Sequence, residues 1–284
     1  VTEPRRLSAA IGAYPETAAL LDGRVASPAI ALDFQRLSPI TKAFAPMVRE
    51  ARFDISEMAI ATFLMARAYD KPLVLLPVVL AARFQETALL CRSDGPIKGP
   101  ADLAGARIAV RAYSQTTGMW LRGSLADSHG IRAEAQRWTT FEDAHVQEYR
   151  DPPWVSRALQ GQDLLGLLRE GAADAVIFGN ELPAEAGIRT VFPDVAAAGA
   201  AFEARHGFMP VNHLIVVRRS LAEESPATVV ELLRLLREAG ARVTTRAALR
   251  PALALAIRYG MDQGLLPRAL TPEEAWAGLP DSIE

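Results

Sequence analysis

Residues 106–129 read ARIAVRAYSQTTGMWLRGSLADSH. Ala106 to Arg111 is a short, mainly apolar run of strand type, and Ser114 to His129 has the length of a helix. Between them the chain turns at Tyr113 and meets hydroxyl and amide residues where a helix begins. Strand, tight turn and helix in succession form the repeating unit of an α/β protein. The same alternation extends in both directions. Upstream, Leu7–Tyr14 and Ile30–Leu37 read as strands, with a helix opening at Pro15 and another over Pro39–Ala51 that Pro46 should kink. Phe53–Met58 is a strand running into a buried helix, Ala59–Tyr69. Leu73–Leu80 and Thr87–Arg92 are two more strands, separated by the polar insertion Ala82–Glu86. Downstream, Trp138–Trp154 is irregular and polar, Leu164–Arg169 is a helix closed by Gly171, and Asp174–Phe178 is a strand followed by Gly179 and Asn180. Leu214–Val217 is the last strand, and helices cover Pro226–Arg242, Leu249–Tyr259 and Pro272–Ala277. We therefore expect mainly parallel sheets flanked by helices.

Composition narrows the function. The 284 residues carry a net charge of -2, so the basic face of a nucleic-acid binder is not expected. Lys42, Lys71 and Lys98 are the only lysines, and none stands in an apolar setting that would lower its pKa for Schiff-base chemistry. Cys91 is the single cysteine and lies in an apolar run, which rules out an intrachain disulfide and makes a buried strand position its expected place. No histidine spacing of metal-ligand type occurs, so no metal is expected. The longest apolar run, Leu73–Ala82, is interrupted by Pro77 and too short to span a bilayer. The N-terminal Val-Thr-Glu-Pro-Arg-Arg lacks a secretion-signal pattern, so we expect a cytoplasmic protein, or a periplasmic one where a signal segment has been removed. Homo-oligomerisation is left open.

Several residues are placed to carry chemistry. Ser114, Gln115, Thr116 and Thr117 open a helix at the end of a strand, where free N–H groups and hydroxyls together hold an anion. Alternatively, one of these hydroxyls is an ordinary helix cap. Ser56 is the better cap for the helix after Met58, which leaves Glu57 free either to face a ligand or to stabilise the helix start. Arg83 lies between two apolar runs, suited to a two-point grip on a carboxylate or to an ion pair with Glu86 or Asp54. His213, in Pro210-Val211-Asn212-His213 before a strand, is the best of four histidines for acid–base work. His129 and His206 stand beside glycines and His145 lies in a polar loop. Tyr14, Trp120 and Arg122 are further candidates to line a cleft, although Trp120 also fits a core position.

Phe53–Met58 (FDISEM), Arg83-Phe84, Gly105–Val110, Tyr113–Gly123 (YSQTTGMWLRG) and Pro210–His213 recur in an order and spacing that resembles the 4,5-dihydroxyphthalate decarboxylase-like proteins. The likeness runs from Ala13-Tyr14 to Gln263–Pro267. It implies the two-lobed periplasmic-binding-protein type II fold with two inter-lobe crossings, near Arg83–Arg92 and Met209–Leu214. Lobe one would be 1–88 plus 212–284 and lobe two 89–211. The resemblance further implies a small carboxylate in the inter-lobe cleft and decarboxylation of a hydroxylated aromatic acid without an organic cofactor. Tyr14, Ser56, Arg83, Ser114, Gln115, Thr116, Thr117 and Asn212 would bind it, with His213 and Glu57 as acid and base. Where the family usually has an Arg-His pair after its Arg-Phe, this chain has Gln85-Glu86, a neutral amide and an acid. That exchange favours the other use of the same scaffold, a solute-binding protein for a small organic anion serving a transporter.

Overall fold

A computed structural model describes residues 3–179 and 182–284. The first two residues and Asn180, which follows the 174–178 strand in the sequence, lie outside the described residues. Among those described, the strands in chain order are β1 (Arg5–Ala10), β2 (Ile30–Phe34), β3 (Ile55–Ala59), β4 (Leu73–Ala82), β5 (Leu89–Arg92), β6 (Arg107–Val110), β7 (Arg137–Thr140), β8 (Val155–Arg157), β9 (Ala175–Ile177), β10 (Ile188–Thr190), β11 (Val211–Arg218) and β12 (Arg242–Val243). They form two six-stranded sheets, β12-β4-β11-β3-β1-β2 and β10-β5-β9-β6-β7-β8. The chain divides into two compact units, one of Val1–Ala82, Val211–Ile257 and Leu266–Glu284, the other of Arg83–Pro210 and Arg258–Leu265.

Both sheets are mixed rather than mainly parallel. In the first unit β1 pairs parallel with β2 and β3, whereas β11 runs antiparallel between β3 and β4, and β12 antiparallel to β4. In the second, β6 is parallel to β7 and β9 and β7 to β8, but β5 is antiparallel to β9 and β10. Of the strands in antiparallel pairs, β4, β5 and β11 lie next to points where the chain leaves or re-enters a unit. β4 is buried from Leu73 to Val79, which explains its unbroken apolar sequence. Pro77, which cannot donate to a ladder, falls where the β4–β11 register jumps from Leu76 to Val79, and its carbonyl accepts from the Thr244 N–H at 2.8 Å.

Four helices place the residues of interest: α1 (Pro15–Leu21), α2 (Phe44–Glu50), α3 (Ile60–Ala68) and α4 (Thr116–His129). Pro46 does not kink α2. It lies in the first turn, where a missing N–H removes no intrahelical bond. α3 is buried along its whole length, as its Ala/Leu/Met content implies. A further helix, Val195–His206, has no counterpart in the sequence reading.

The tail does not stay in the first unit throughout. Arg258–Leu265 packs on α4, and Gly123 shows why: a Cβ there would meet the Tyr259 ring at 2.1 Å. The Tyr259 hydroxyl donates to Asp127 at 2.6 Å, Arg258 grips the same carboxylate at 2.6 and 3.0 Å, and Trp120 meets the Tyr259 ring edge-on. Trp120 is thus a core residue. Cys91 is buried in β5.

Candidate functional site

In the first unit three strands converge on one carboxylate. Glu57 lies inside β3 and is fully buried. In the antiparallel β3–β11 pair it stands opposite Ile215, which makes His213 its diagonal neighbour on the same face. His213 Nδ1 lies 2.6 Å from Glu57 Oε1, and the Tyr14 hydroxyl donates to that same oxygen at 2.7 Å. The other oxygen accepts the Gly12 N–H at 2.9 Å. Gly12 follows the end of β1 and has to be glycine, since a Cβ would come within 2.6 Å of the Tyr14 ring folded over it. Thr17 locks that turn: its hydroxyl donates to Gly12 O at 2.7 Å and accepts from the Tyr14 N–H at 2.9 Å. Phe44 sets an edge-on ring against the imidazole at 5.3 Å.

The imidazole of His213 is held through Nδ1, which leaves Nε2 as the ring nitrogen turned away from Glu57. Both oxygens of Glu57 are thus engaged, one by Tyr14 and His213 and the other by Gly12. Ser56 caps no helix; it lies within β3 and donates to Glu57 O at 2.7 Å. Asn212 is buried where the β4–β11 register is irregular, an arrangement that re-aims neighbouring side chains.

Burial first, and then the adjacent Glu57 charge, hold the Tyr14 phenol well above the usual tyrosine range. A raised pKa means that the folded protein keeps the proton that the unfolded chain gives up. The stability involved is complete below the ordinary tyrosine value and falls as pH climbs past it. Urea unfolding followed through alkaline pH should therefore show a steeper loss of stability in the wild type than in Tyr14→Phe. Equal slopes would mean that Tyr14 titrates normally.

The second unit carries its own group. Arg83 follows β4, with its N–H on Pro210 O at 3.0 Å. Its Nη2 donates to the Thr117 hydroxyl and to Gly179 O, both at 3.2 Å, while the buried Nε has no partner. No ion pair with Glu86 or Asp54 forms; Asp54 is taken by Arg218 and Ser8. Thr117 lies in the first turn of α4, and the N-cap, Gln115, makes no side-chain cap bond. Ser114, Thr116 and Thr117 are buried around this uncapped start, and Gln115 Oε1 is buried without a partner. The N-cap position falls on Gln115 and not on one of the hydroxyl residues. The helix start therefore presents N–H groups at its positive end, with the Arg83 guanidinium beside its first turn.

These geometries accompany a relationship across the whole chain. No family model matches it. It is 28% identical over 285 residues to the 4,5-dihydroxyphthalate decarboxylase of Comamonas testosteroni, spanning 96% of this chain and 86% of that one. It is 30% identical over 179 residues to the protein of that name from Pseudomonas putida, spanning 60% of this chain and 69% of that one. The chain belongs to the 4,5-dihydroxyphthalate decarboxylase-like family. Among solved structures it is similar to the periplasmic aliphatic sulphonate binding protein SsuA from Escherichia coli, with TM-score 0.55 and 16% identity over 99% of this chain and 84% of that one. The desulfurization enzyme DSZB gives TM-score 0.57 and 16% identity over 96% of both chains. The alkanesulfonate-binding protein SsuA from Xanthomonas axonopodis pv. citri, solved with MOPS, gives 0.54 and 16% over 99% and 86%. At these identities the likeness shows the fold alone, which is the periplasmic-binding-protein type II fold.

Within the family, this member's Gln85-Glu86 pair is buried. Gln85 Nε2 donates to Arg83 O at 2.6 Å and so holds the backbone of the arginine. Burial pushes the Glu86 carboxyl up, and its Oε2 has no partner. Among the described residues, no group of three His, Cys, Asp or Glu side chains is gathered that could hold a metal ion. Nor is any helix among them long and apolar enough to cross a membrane.

Proposed function

We propose that this family member binds a small hydroxylated aromatic carboxylate and releases carbon dioxide from it without an organic cofactor. The observation that carries the reading is the buried Glu57, which fixes His213 through Nδ1 and leaves Nε2 to exchange a proton. Arg83 with Ser114, Gln115, Thr116 and Thr117 serves as the anion clamp.

The chemistry balances with these groups. The phenol of the substrate gives its proton to water, and the resulting electron pair makes the ring carbon that bears the carboxylate basic. The imidazolium of His213 delivers a proton to that carbon. The bond to the carboxylate then breaks, its electron pair restores the aromatic ring, and carbon dioxide leaves. Water returns one proton to the imidazole and another to the phenolate. Across the cycle one carboxylate and one proton become an arene hydrogen and carbon dioxide.

The test is a thermal-shift panel of hydroxylated benzoates, phthalates and small aliphatic acids, with carbon dioxide measured for each ligand that stabilises the protein. Stabilisation by an aromatic acid with release of carbon dioxide is the expected result. Stabilisation without release would replace the enzyme by a binding protein, for which the Arg83 group suffices. Arg83→Ala should weaken the stabilising acid about tenfold or more, the scale of a lost charged hydrogen bond. Unchanged affinity would remove Arg83 from the site.

A further inference from the structure

We infer that Arg122 is a buried positioning charge behind the 113–117 turn, and that it sets the preference for doubly over singly charged ligands. The inference rests on the anion-binding reading above and adds a residue that lies outside the clamp itself.

Arg122 is 1% exposed. Its Nη2 donates to Tyr113 O at 2.7 Å and its Nε to Gln263 Oε1 at 2.7 Å. The guanidinium lies 3.9 Å over the Tyr113 ring and 4.9 Å over Trp138. Its third nitrogen, Nη1, is buried without a partner. A Cβ on Gly118 would sit 2.9 Å from that nitrogen, so the unpaired N–H group rests against the third residue of α4.

Two features of this placement are unfavourable taken alone. A buried cation is costly without a counterion, and among the described residues no carboxylate forms an ion pair with Arg122. The charge also sits at the first turn of a helix, whose own partial charge there is positive. Burial lowers the arginine pKa, but from so high a starting value that the group stays protonated. Asp151, whose charge Arg122 feels, is itself pushed up by burial. An anion at the turn formed by Ser114, Gln115, Thr116 and Thr117 relieves both features at once. Packing alone does not account for the charge, since a neutral side chain of the same length fills the same space. The bond to Tyr113 O holds the turn in place, and the charge gives it positive potential through a medium of low dielectric.

A charge acting at a distance works in proportion to the charge on the ligand, whereas a loosened turn weakens all ligands alike. That difference provides the test. Dissociation constants of benzoate and phthalate should be measured on the whole protein, at a pH where phthalate is a dianion. Arg122→Met should weaken phthalate about tenfold more than benzoate. Arg122→Lys, which keeps the charge and loses the two-point grip, should weaken both while preserving their ratio. Gln263→Glu sets a carboxyl group beside the Arg122 Nε and gives up the bond from Gln263 Nε2 to Met119 O at 2.9 Å. The lost bond should weaken both acids alike, whereas the added charge offsets the guanidinium and should reproduce the changed ratio even if Arg122→Met fails to fold. Equal losses for the two acids in Gln263→Glu would overturn the role of Arg122. If neither acid binds the wild type, the anion-binding reading itself fails, an outcome distinct from binding with an unaltered ratio.

Discussion

His213→Gln is expected to slow carbon dioxide release from the best-binding aromatic acid by about 10²–10⁴-fold, the range of a lost general acid. Binding of the acid should change little. The glutamine amide can still donate to Glu57 Oε1, which His213 meets at 2.6 Å, so the carboxylate keeps a partner in that direction. Packing against Phe44 loses a ring but little volume. What disappears is an imidazole that can take up a proton and pass it on. Single-turnover carbon dioxide measurements beside equilibrium binding separate the two effects. Turnover within about threefold of wild type, well below the range for a lost general acid, would show that the ring carbon is protonated by another group.

The strand–turn–helix at 106–129 was legible because its two periods are clean, a short apolar run and then a helical stretch that ends at Gly130 with φ 67°. β3 and β4 were legible for the same reason, as buried strands with few polar residues. Val195–His206 escaped because VAAAGAAFEARH has almost no polar–apolar contrast. Its only local signals are Asp194, which accepts from the Ala197 N–H, and Gly207 after it. β10 and β12 have three and two residues, too short for any period to register. The return of Arg258–Leu265 to the second unit depends on Gly123 receiving the Tyr259 ring, and no feature of a single segment announces a contact between distant ones.

The site was legible in its members and not in their meeting. Glu57 and His213 are 156 positions apart, and they touch because β11 re-enters the first unit antiparallel to β3 in one register. A shift of one residue would have turned His213 to the opposite face. Gly12 was passed over because its contribution is a backbone N–H, which every residue but proline has; the signal was a glycine two positions before a tyrosine that folds back on it. Arg122 was recognised as a candidate to line a cleft, yet its burial under the Tyr113 ring depends on Gln263, far along the chain.

Glu57→Gln should prove nearly as damaging as loss of the histidine, although it alters only one oxygen. Three donors converge on the carboxylate, two at Oε1 from Tyr14 and His213 and one at Oε2 from Gly12. An amide offers one acceptor atom and one donor group. With its oxygen toward Gly12, the amide nitrogen faces His213 Nδ1 and donates to it, which moves the imidazole proton to Nε2 and inverts the tautomer. With the oxygen toward His213, the amide nitrogen meets the Gly12 N–H, donor against donor, in a site closed to water. Either arrangement costs about 1–3 kcal/mol of stability for a buried group left unsatisfied. Both also remove the negative charge that stabilises the imidazolium, so turnover should fall by about 10²–10⁴-fold and its pH profile should shift. Binding of the acid, for which we propose the Arg83 group, should stay within a few-fold of wild type. Tyr14→Phe provides the control, because it removes one donor and leaves the tautomer intact. Its turnover should stay within about tenfold of wild type, since the loss is a single hydrogen bond. Should Glu57→Gln lose stability as expected and yet turn over with an unchanged pH profile, Glu57 would be a structural acid, and His213 would not be the proton carrier.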